Sequence, residues 1–410
     1  MIAHPKRRIL YLINSMEGGG AESQVAVHLR LLRREKFEVE LALCRKVGIY
    51  LADLPEDVEV HELSNRRPLK TAWRVRSLRR IVDEGRFDAV VSNLWYCDLL
   101  SLLENAGRRN PVPRVCVIHS DHRRLLTDLK RDLRWSARMR LRLAHKLYHR
   151  AAKVLFLTEG NARYLCAAAS IRRERAVVLP HSVDVSELQE RARAEPPPEW
   201  PGDGLRLLAA GRLTHPKGFD NLLRVFATAR KRGLRASLLI IGDGPDRRNL
   251  EVLSERLGIT DHVALPGFVS NPHAAYRAAD LVLNSSRLEG FCMVILEALA
   301  QGKPVLATDC PSGPGEILRD GAGVLVPTDD WDAFTDALLR LASSEQERQE
   351  LGERALQRAH QYAHGAIMPR FEQLLLDLPA RDGQPAPAEH RTAPGPISER
   401  PSANAPVSGR

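Results

Sequence analysis

The chain has 410 residues, 44% of them hydrophobic and 27% charged, with a net charge of +10. That is room for two or three domains whose cores need no covalent staples, in the composition of a soluble globular protein. The six cysteines, Cys44, Cys97, Cys116, Cys166, Cys292 and Cys310, form no C-x-x-C pair, which argues against a zinc ribbon or disulfide framework and fits a reducing compartment.

The first apolar run, within "MIAHPKRRILYLINSMEGGG", ends in glycines without a cleavage site and reads as a strand, not a signal peptide. No apolar stretch approaches the roughly 18–20 residues of a membrane span, so the expected location is the cytoplasm. Strands are expected at 8–14, 39–44, 89–93, 114–119, 153–158 and 176–180, with helical patterns between them. One of those patterns, 123–150, holds ten Lys/Arg against Asp128 and Asp132. Leu125, Leu129, Leu133, Leu143 and Leu147 fall on one helical face, with most arginines opposite. Such a helix either lies on an anionic membrane surface or packs with a solvated basic face, and the two readings stand about even. No aromatic-studded basic sheet or recognition helix accompanies it, so nucleic acid is not expected as a partner.

The Pro- and Gly-rich stretch "RARAEPPPEWPGDG" (191–204) reads as an interdomain linker without regular structure. A second series of strands is expected at 205–211, 236–242, 262–267, 281–286, 304–308 and 323–327, with helices 332–345 and 347–362 closing it. The division is then 1–190, a linker at 191–204, a second domain at 205–362, a helix within 363–378 returning to the first domain, and a disordered tail at 379–410 rich in Pro, Ala and Ser. Alternating strands and helices of this kind make open, doubly wound parallel sheets, which bind ligands beyond the carboxyl ends of their strands. Two such domains in tandem make one cleft.

The groups with chemistry sit at those strand ends. In "NSMEGGGAES", Gly18, Gly19 and Gly20 open a helix where backbone N–H groups can approach an anion, although many such turns are only tight turns. The loop is neither G-x-G-x-x-G nor a P-loop. In "AAGRLTHPKGFDNLL", Arg212 and Lys217 flank a short loop, suited to clamping a diphosphate or simply two surface cations. "IIGDGPDRRNL" places Gly242 and Gly244 at another strand end, in a turn that serves a ligand or the fold alone. In "RLEGFCMVILEALAQGKPV", Glu289 precedes an apolar helix and Glu297 lies about two turns inside it, with no solvent-facing flank evident. An ionised Glu buried there without a partner is costly, so something polar is expected to meet it, and carboxylates accept hydrogen bonds from paired sugar hydroxyls.

Taken together, E-x7-E between "NSSR" and "EALAQGKPVLATDCPSGPGEIL", with "GRLTHPKGF", "IIGDGP" and "LPGFVSNPHAAYRAADLVLNSS" in order, resembles the retaining glycosyltransferases of family 4 over residues 8–378. The resemblance implies the α/β GT-B fold, two Rossmann-like domains facing a central cleft. It implies that Glu297 binds the ribose of a nucleotide-sugar and Glu289 the donor sugar, beside the backbone of Gly290, Phe291 and Cys292. It further implies that Arg212 and Lys217 hold the diphosphate and stabilise its growing charge. By the same resemblance Gly18, Gly19, Gly20 and Gly244 approach the nucleotide-sugar, Gly267, Phe268 and Val269 border the base, and His119 faces the donor sugar. The expected catalytic set is His119, Arg212, Lys217 and Glu289, with no metal and no cofactor beyond the co-substrate, since no D-x-D motif occupies a strand end. Transfer would retain configuration through a same-face, oxocarbenium-like ion pair instead of a covalent intermediate.

UDP is the expected nucleotide, with GDP as the alternative. The "DCPSGPGEIL" variant resembles members that build lipopolysaccharide, exopolysaccharide or lipid-linked oligosaccharides, which with the basic segment implies an acceptor at the inner membrane face. The chain departs from the family pattern at "HSVD" (181–184), where relatives read Asn-Gly-Val-Asp, and at "GFCMV". Two rival readings are a UDP-sugar epimerase of the same fold and a scaffold with a decayed site. E-x7-E disfavours the first, and intact Arg212, Lys217, Glu289 and Glu297 disfavour the second.

Overall fold

Apolar runs such as 9–13, every side chain of which is fully buried, suit a parallel sheet covered by helices on both faces. The computed structural model describes residues 6–66, 69–123 and 135–379. Leu125, Leu129 and Leu133 of the basic segment and the tail beyond Pro379 lie outside the described residues. The chain begins with β1 (Arg7–Ile13), α1 (Gly20–Leu31), β2 (Phe37–Leu43), β3 (Glu59–Glu62), α2 (Lys70–Gly85), β4 (Ala89–Asn93) and α3 (Trp95–Asn105). It continues with β5 (Arg114–Ile118), α4 (Trp135–Leu147), β6 (Lys153–Phe156), α5 (Glu159–Ala168), β7 (Ala176–Val178) and α6 (Val185–Ala194).

The second half runs β8 (Leu205–Ala210), α7 (Phe219–Lys231), β9 (Ala236–Ile241), α8 (Arg247–Leu257), β10 (Val263–Gly267), α9 (His273–Ala278), β11 (Leu281–Asn284) and α10 (Met293–Ala300). It closes with β12 (Val305–Asp309), α11 (Pro314–Ile317), β13 (Val324–Pro327), α12 (Trp331–Ser343), α13 (Glu345–His360) and α14 (His364–Leu376). The sheet orders are β3-β2-β1-β4-β5-β6-β7 and β10-β9-β8-β11-β12-β13, all parallel. This is the GT-B architecture of two Rossmann-like domains. Each order reverses direction once, at β1/β4 and at β8/β11, and such switch points are where open α/β sheets hold ligands.

Three local outcomes differ from the sequence reading. β3, "EVHE", has no apolar run to announce it; it is an edge strand that pairs with β2 (Leu41↔Val60) and needs only one protected side. The segment 191–204 is not wholly irregular, because α6 continues to Ala194 before Pro196 ends it. The Asp184 carboxylate caps α6 by accepting from the Glu187 N–H at 3.0 Å. The carbonyls of Arg191 and Ala192 at its other end accept from Asn271 and Arg277, each at 2.8 Å, so α6 is docked on the second domain. Finally, Leu143 does not pack with Leu147. Ala137, Leu141, Ala144 and Leu147 form the buried stripe of α4, and Leu143 is exposed.

After α13 the chain crosses back to the first domain. Val183 and Ala363 form a parallel bridge, the Arg7 guanidinium donates to the Leu376 carbonyl at 2.9 Å, and buried Glu372 accepts from the Arg33 N–H at 3.1 Å and its Nε at 2.6 Å. Phe371 is fully buried in the seam. Deeper in the first domain, Glu104 of α3 joins Arg114, at the start of β5, to Arg108; Arg114 and Glu104 are completely buried. Removing one partner of a buried pair leaves an uncompensated charge. Glu104→Ala is therefore expected to cost about 3–5 kcal/mol in denaturant unfolding, whereas E104L/R114M, which removes both charges, restores much of that loss.

Candidate active site

The two loops beside the β8/β11 switch point are stitched together before any ligand is considered. Gly218 has a φ of 67°, and a Cβ there would lie 2.1 Å from the Ser285 carbonyl oxygen, so only glycine lets the β8 loop press against the exit of β11. Ser285 Oγ donates to the Lys217 carbonyl at 3.0 Å. Arg287 binds Asp220 with two 2.8 Å hydrogen bonds and donates to the His215 carbonyl at 2.7 Å. Gly244 abuts Leu213, and the Leu213 N–H donates to the Asp243 carbonyl at 2.9 Å, so "GDGP" braces the Arg212–Lys217 loop from behind.

Within this frame Lys217 Nζ lies 2.7 Å from Glu289 Oε1, and Ser286 Oγ donates to the same oxygen at 2.6 Å. Burial alone would raise the Glu289 carboxyl, but the Lys217 charge and the hydrogen bonds from Lys217 and Ser286 outweigh it and hold it below the usual range. Arg212 is exposed at the loop's mouth and makes no ion pair among the described residues. An exposed arginine thus shares a loop with a part-buried lysine that pairs with a buried carboxylate, an arrangement suited to receive an anion.

Glu297 is met differently. One flank of α10, comprising Met293, Val294, Glu297 and Gln301, is only half-buried, which corrects the expectation that no side of this helix opens. Gly20 of the glycine-rich turn faces that flank, its added Cβ falling 3.4 Å from Met293 Cγ, and Tyr50 of the first domain is close enough to feel the Glu297 charge. The Tyr276 hydroxyl lies beside Glu297 yet outside hydrogen-bond geometry. Burial pushes the Glu297 carboxyl up to about 7, against smaller opposing effects of Tyr276 and Arg191. Among the described residues no side chain meets its carboxylate in hydrogen-bond geometry.

Gly267 ends the edge strand β10 and Phe268 and Val269 follow it, with Phe268 72% exposed as an open apolar platform. Phe291 is buried and meets His181 edge-on at 5.3 Å. Cys292 has a φ of 80°, a strained conformation for a residue with a Cβ, and its Sγ accepts from Asn284 Nδ2 at 3.3 Å.

Gly290 touches the first domain directly: a Cβ would lie 2.1 Å from the His119 carbonyl oxygen. His119 itself is neutral, burial pushing its imidazole down to about 3. Its Nε2 lies 2.9 Å from Asn93 Oδ1 and its Nδ1 3.3 Å from His181 Nε2. Nε2–H therefore donates to Asn93 and Nδ1 accepts from His181, so it is the carbonyl, not the ring, that His119 brings to the Gly290 loop. Around it, sequence reasoning missed several cleft-spanning contacts. Asn161 Nδ2 donates to the Gly290 carbonyl at 3.1 Å, and Ser312 Oγ, which donates to the Glu289 carbonyl of its own domain at 2.6 Å, reaches Asp121 across the cleft at 3.2 Å. Glu316 accepts from the N–H groups of Glu159 and Gly160, both at 2.8 Å. The signal for Ser312 and Glu316 was "DCPSGPGEIL", read as a family variant without roles for its residues.

Two family models match in tandem, one described as Glycosyltransferase Family 4 over residues 18–187 and one as Glycosyl transferases group 1 over residues 190–358. Together they take in nearly all of both domains and every site residue from Gly18 to Glu316; the chain belongs to the family 4 glycosyltransferases. It is 30% identical over 233 residues to the amylovoran biosynthesis glycosyltransferase AmsD of Erwinia amylovora, a match covering 56% of this chain and 63% of that protein, so less than two thirds of the relative's length. It is 26% identical over 361 residues to the N-acetylgalactosamine-N,N'-diacetylbacillosaminyl-diphospho-undecaprenol 4-alpha-N-acetylgalactosaminyltransferase of Campylobacter jejuni, covering 85% of this chain and 93% of that one. It superimposes on HepE of Anabaena, solved in complex with UDP, with a TM-score of 0.73 at 20% identity over 90% of this chain and 99% of that one, a likeness of fold.

A carboxyl whose folded value is raised favours the folded state below its unfolded value and loses that contribution as pH rises through about 7. Glu297→Gln is therefore expected to raise the melting temperature at about pH 8 and to leave it unchanged near pH 4, as differential scanning calorimetry reads directly.

Proposed function

We propose that this chain is a retaining glycosyltransferase that moves a sugar from a UDP-sugar to a growing cell-surface glycan, carried on a lipid at the inner face of the cytoplasmic membrane. The observation that carries the reading is buried Glu289 held by part-buried Lys217 at the switch point, with Arg212 exposed on the same loop and in no ion pair among the described residues. A nucleoside diphosphate-sugar has the complementary groups in the matching order. Its diphosphate takes Arg212 and Lys217, its ribose diol donates to Glu297, and its base lies on Phe268. As Lys217 turns to the phosphate, Glu289 gains free lone pairs for the hydroxyls of the sugar. His119, Gly290, Phe291 and Cys292 line the sugar through backbone, and Gly18, Gly19 and Gly20 close over the phosphates from the first domain.

As the glycosidic bond breaks, negative charge grows on the leaving phosphate, where Arg212 and Lys217 hold it without a metal. The acceptor hydroxyl adds on the face that the phosphate leaves, and a phosphate oxygen takes its proton, so configuration is retained. The names of the Erwinia and Campylobacter relatives support polysaccharide assembly and a lipid-diphosphate acceptor, and the UDP bound to HepE supports the nucleotide. Hexosyl or N-acetylhexosaminyl transfer fits that setting.

The test is transfer from labelled UDP-sugars to undecaprenyl-diphosphate-linked acceptors in excess chelator, with the anomeric configuration read by NMR. The expected product keeps the donor's configuration, and Lys217→Met lowers kcat/KM by about 10²–10³-fold. An inverted product, or activity abolished by the chelator, would contradict the mechanism.

A further inference from the structure

A groove separate from the cleft opens on the first domain. It is a channel of about 1180 Å³ on the outer face of the first domain, with Leu103 of α3 on its floor and Val75, Arg76, Arg79 of α2 and Arg140 of α4 on its walls. α3 packs against both α2 and α4, so the three helices form one layer over the sheet.

The surface of α2, α4 and the turn before α2, around this channel, is unusual in two independent ways. It exposes large apolar side chains: Trp135 is 75% exposed and Leu69 74%, with Trp73, Met139 and Leu143 also open to solvent. Trp135, Met139 and Leu143 are spaced four apart, so they form one stripe along α4. The same surface is rich in cations, although Asp83 and Glu84, paired with Arg108 and Arg80, also line the channel. α4 carries four Lys/Arg and no acid, and Arg66, Arg76, Arg79, Arg80, Arg142 and Lys146 are all exposed. The Arg66 guanidinium lies over the Trp73 ring at 5.5 Å. A merely solvated basic face gives no reason to hold Trp135 and Leu69 in water, and an apolar protein partner gives no reason for so many cations. Indole rings, aliphatic anchors and arginines side by side match the boundary between acyl chains and anionic headgroups.

We propose that the α2–α4 face docks on an anionic lipid bilayer. Trp135, Met139 and Leu143, with Leu69 and Trp73, enter the headgroup boundary while Arg66, Arg76, Arg79 and Arg142 pair with lipid phosphates. In a parallel α/β sheet each helix starts at the carboxyl ends of the strands, so Leu69, Trp73 and Trp135 sit at the cleft end of the domain. Docking by them sets the mouth of the cleft against the surface. This rests on the membrane-face reading above and deepens it by naming the surface; the 123–150 segment alone is insufficient, because α2 supplies half of it.

The experiment is co-sedimentation of the full chain with vesicles of phosphatidylglycerol and phosphatidylethanolamine, and separately with pure phosphatidylcholine, without acceptor or donor. Binding to the anionic vesicles only is expected. W135S/M139S is expected to lower the partition constant about tenfold or more, and R76Q/R79Q to lower it roughly fivefold per arginine. The control R230Q/R248Q, on the second domain, is expected to leave it unchanged, and near-native melting of each variant excludes unfolding as the cause. If the wild type binds anionic vesicles and both α2 and α4 variants bind equally well, this surface is wrong while the membrane-face reading stands. If the wild type binds neither vesicle, both fall.

Discussion

The Lys217–Glu289 ion pair is the constraint on which the rest of the cleft depends. A buried pair of this kind is poor evidence for stability, because removing two charges from water costs about what their attraction returns. What it does is fix positions. Lys217 can reach Glu289 only because Gly218 lets the β8 loop press on Ser285, and Glu289 stays charged only because Lys217 and Ser286 serve it. The chain has thus spent a glycine, a serine and a backbone close approach on holding a carboxylate and an ammonium at a switch point. Glu297 is held by the opposite device. It sits half-buried on α10 with no hydrogen-bond partner in good geometry among the described residues, so its charge is tolerated at a cost to the fold.

The second domain could present these groups alone, but it does not. Gly290 lies against the His119 carbonyl, Asn161 and Ser312 hold the backbone on either side of Gly290, and Glu316 occupies the N-terminus of α5. All but the Ser312–Glu289 bond, which lies within the second domain, cross the cleft, so separating the domains breaks them together. The crossover of α14, sealed by Phe371 and Glu372 against the first domain, leaves the domains hinged at 183 and 363 as well as joined at α6. The geometry around Glu289 is therefore a property of both halves.

Much of this was legible in the sequence. The twelve apolar runs named strands that form, because a strand buried on both faces must be apolar along its length. β3 was illegible for the converse reason: an edge strand borrows its order from β2. The end of α6 was hidden by the prolines that follow it, and its docking by long-range capping from Asn271 and Arg277. Glu289 and Glu297 stood out as charges in an apolar context, and Arg212 and Lys217 by their place after a strand. The cleft-spanning partners Asn161, Asp121, Ser312 and Glu316 are ordinary polar residues near helix starts and turns, and only the apposition of two domains gives them meaning. His181 was noticed as a departure, yet its pairing with His119, which turns that ring away from the Gly290 loop, is a tertiary fact.

The central claim is that this cleft is built for a nucleoside diphosphate. Calorimetric titration of UDP, GDP and ADP into the purified chain without metal tests it most directly. The account expects UDP to bind in preference to the other two, and Arg212→Ala to abolish that binding. If none of the three bound, the cationic mouth, the Lys217–Glu289 pair and the half-buried Glu297 would have been misread, and the cleft would need a different ligand or none.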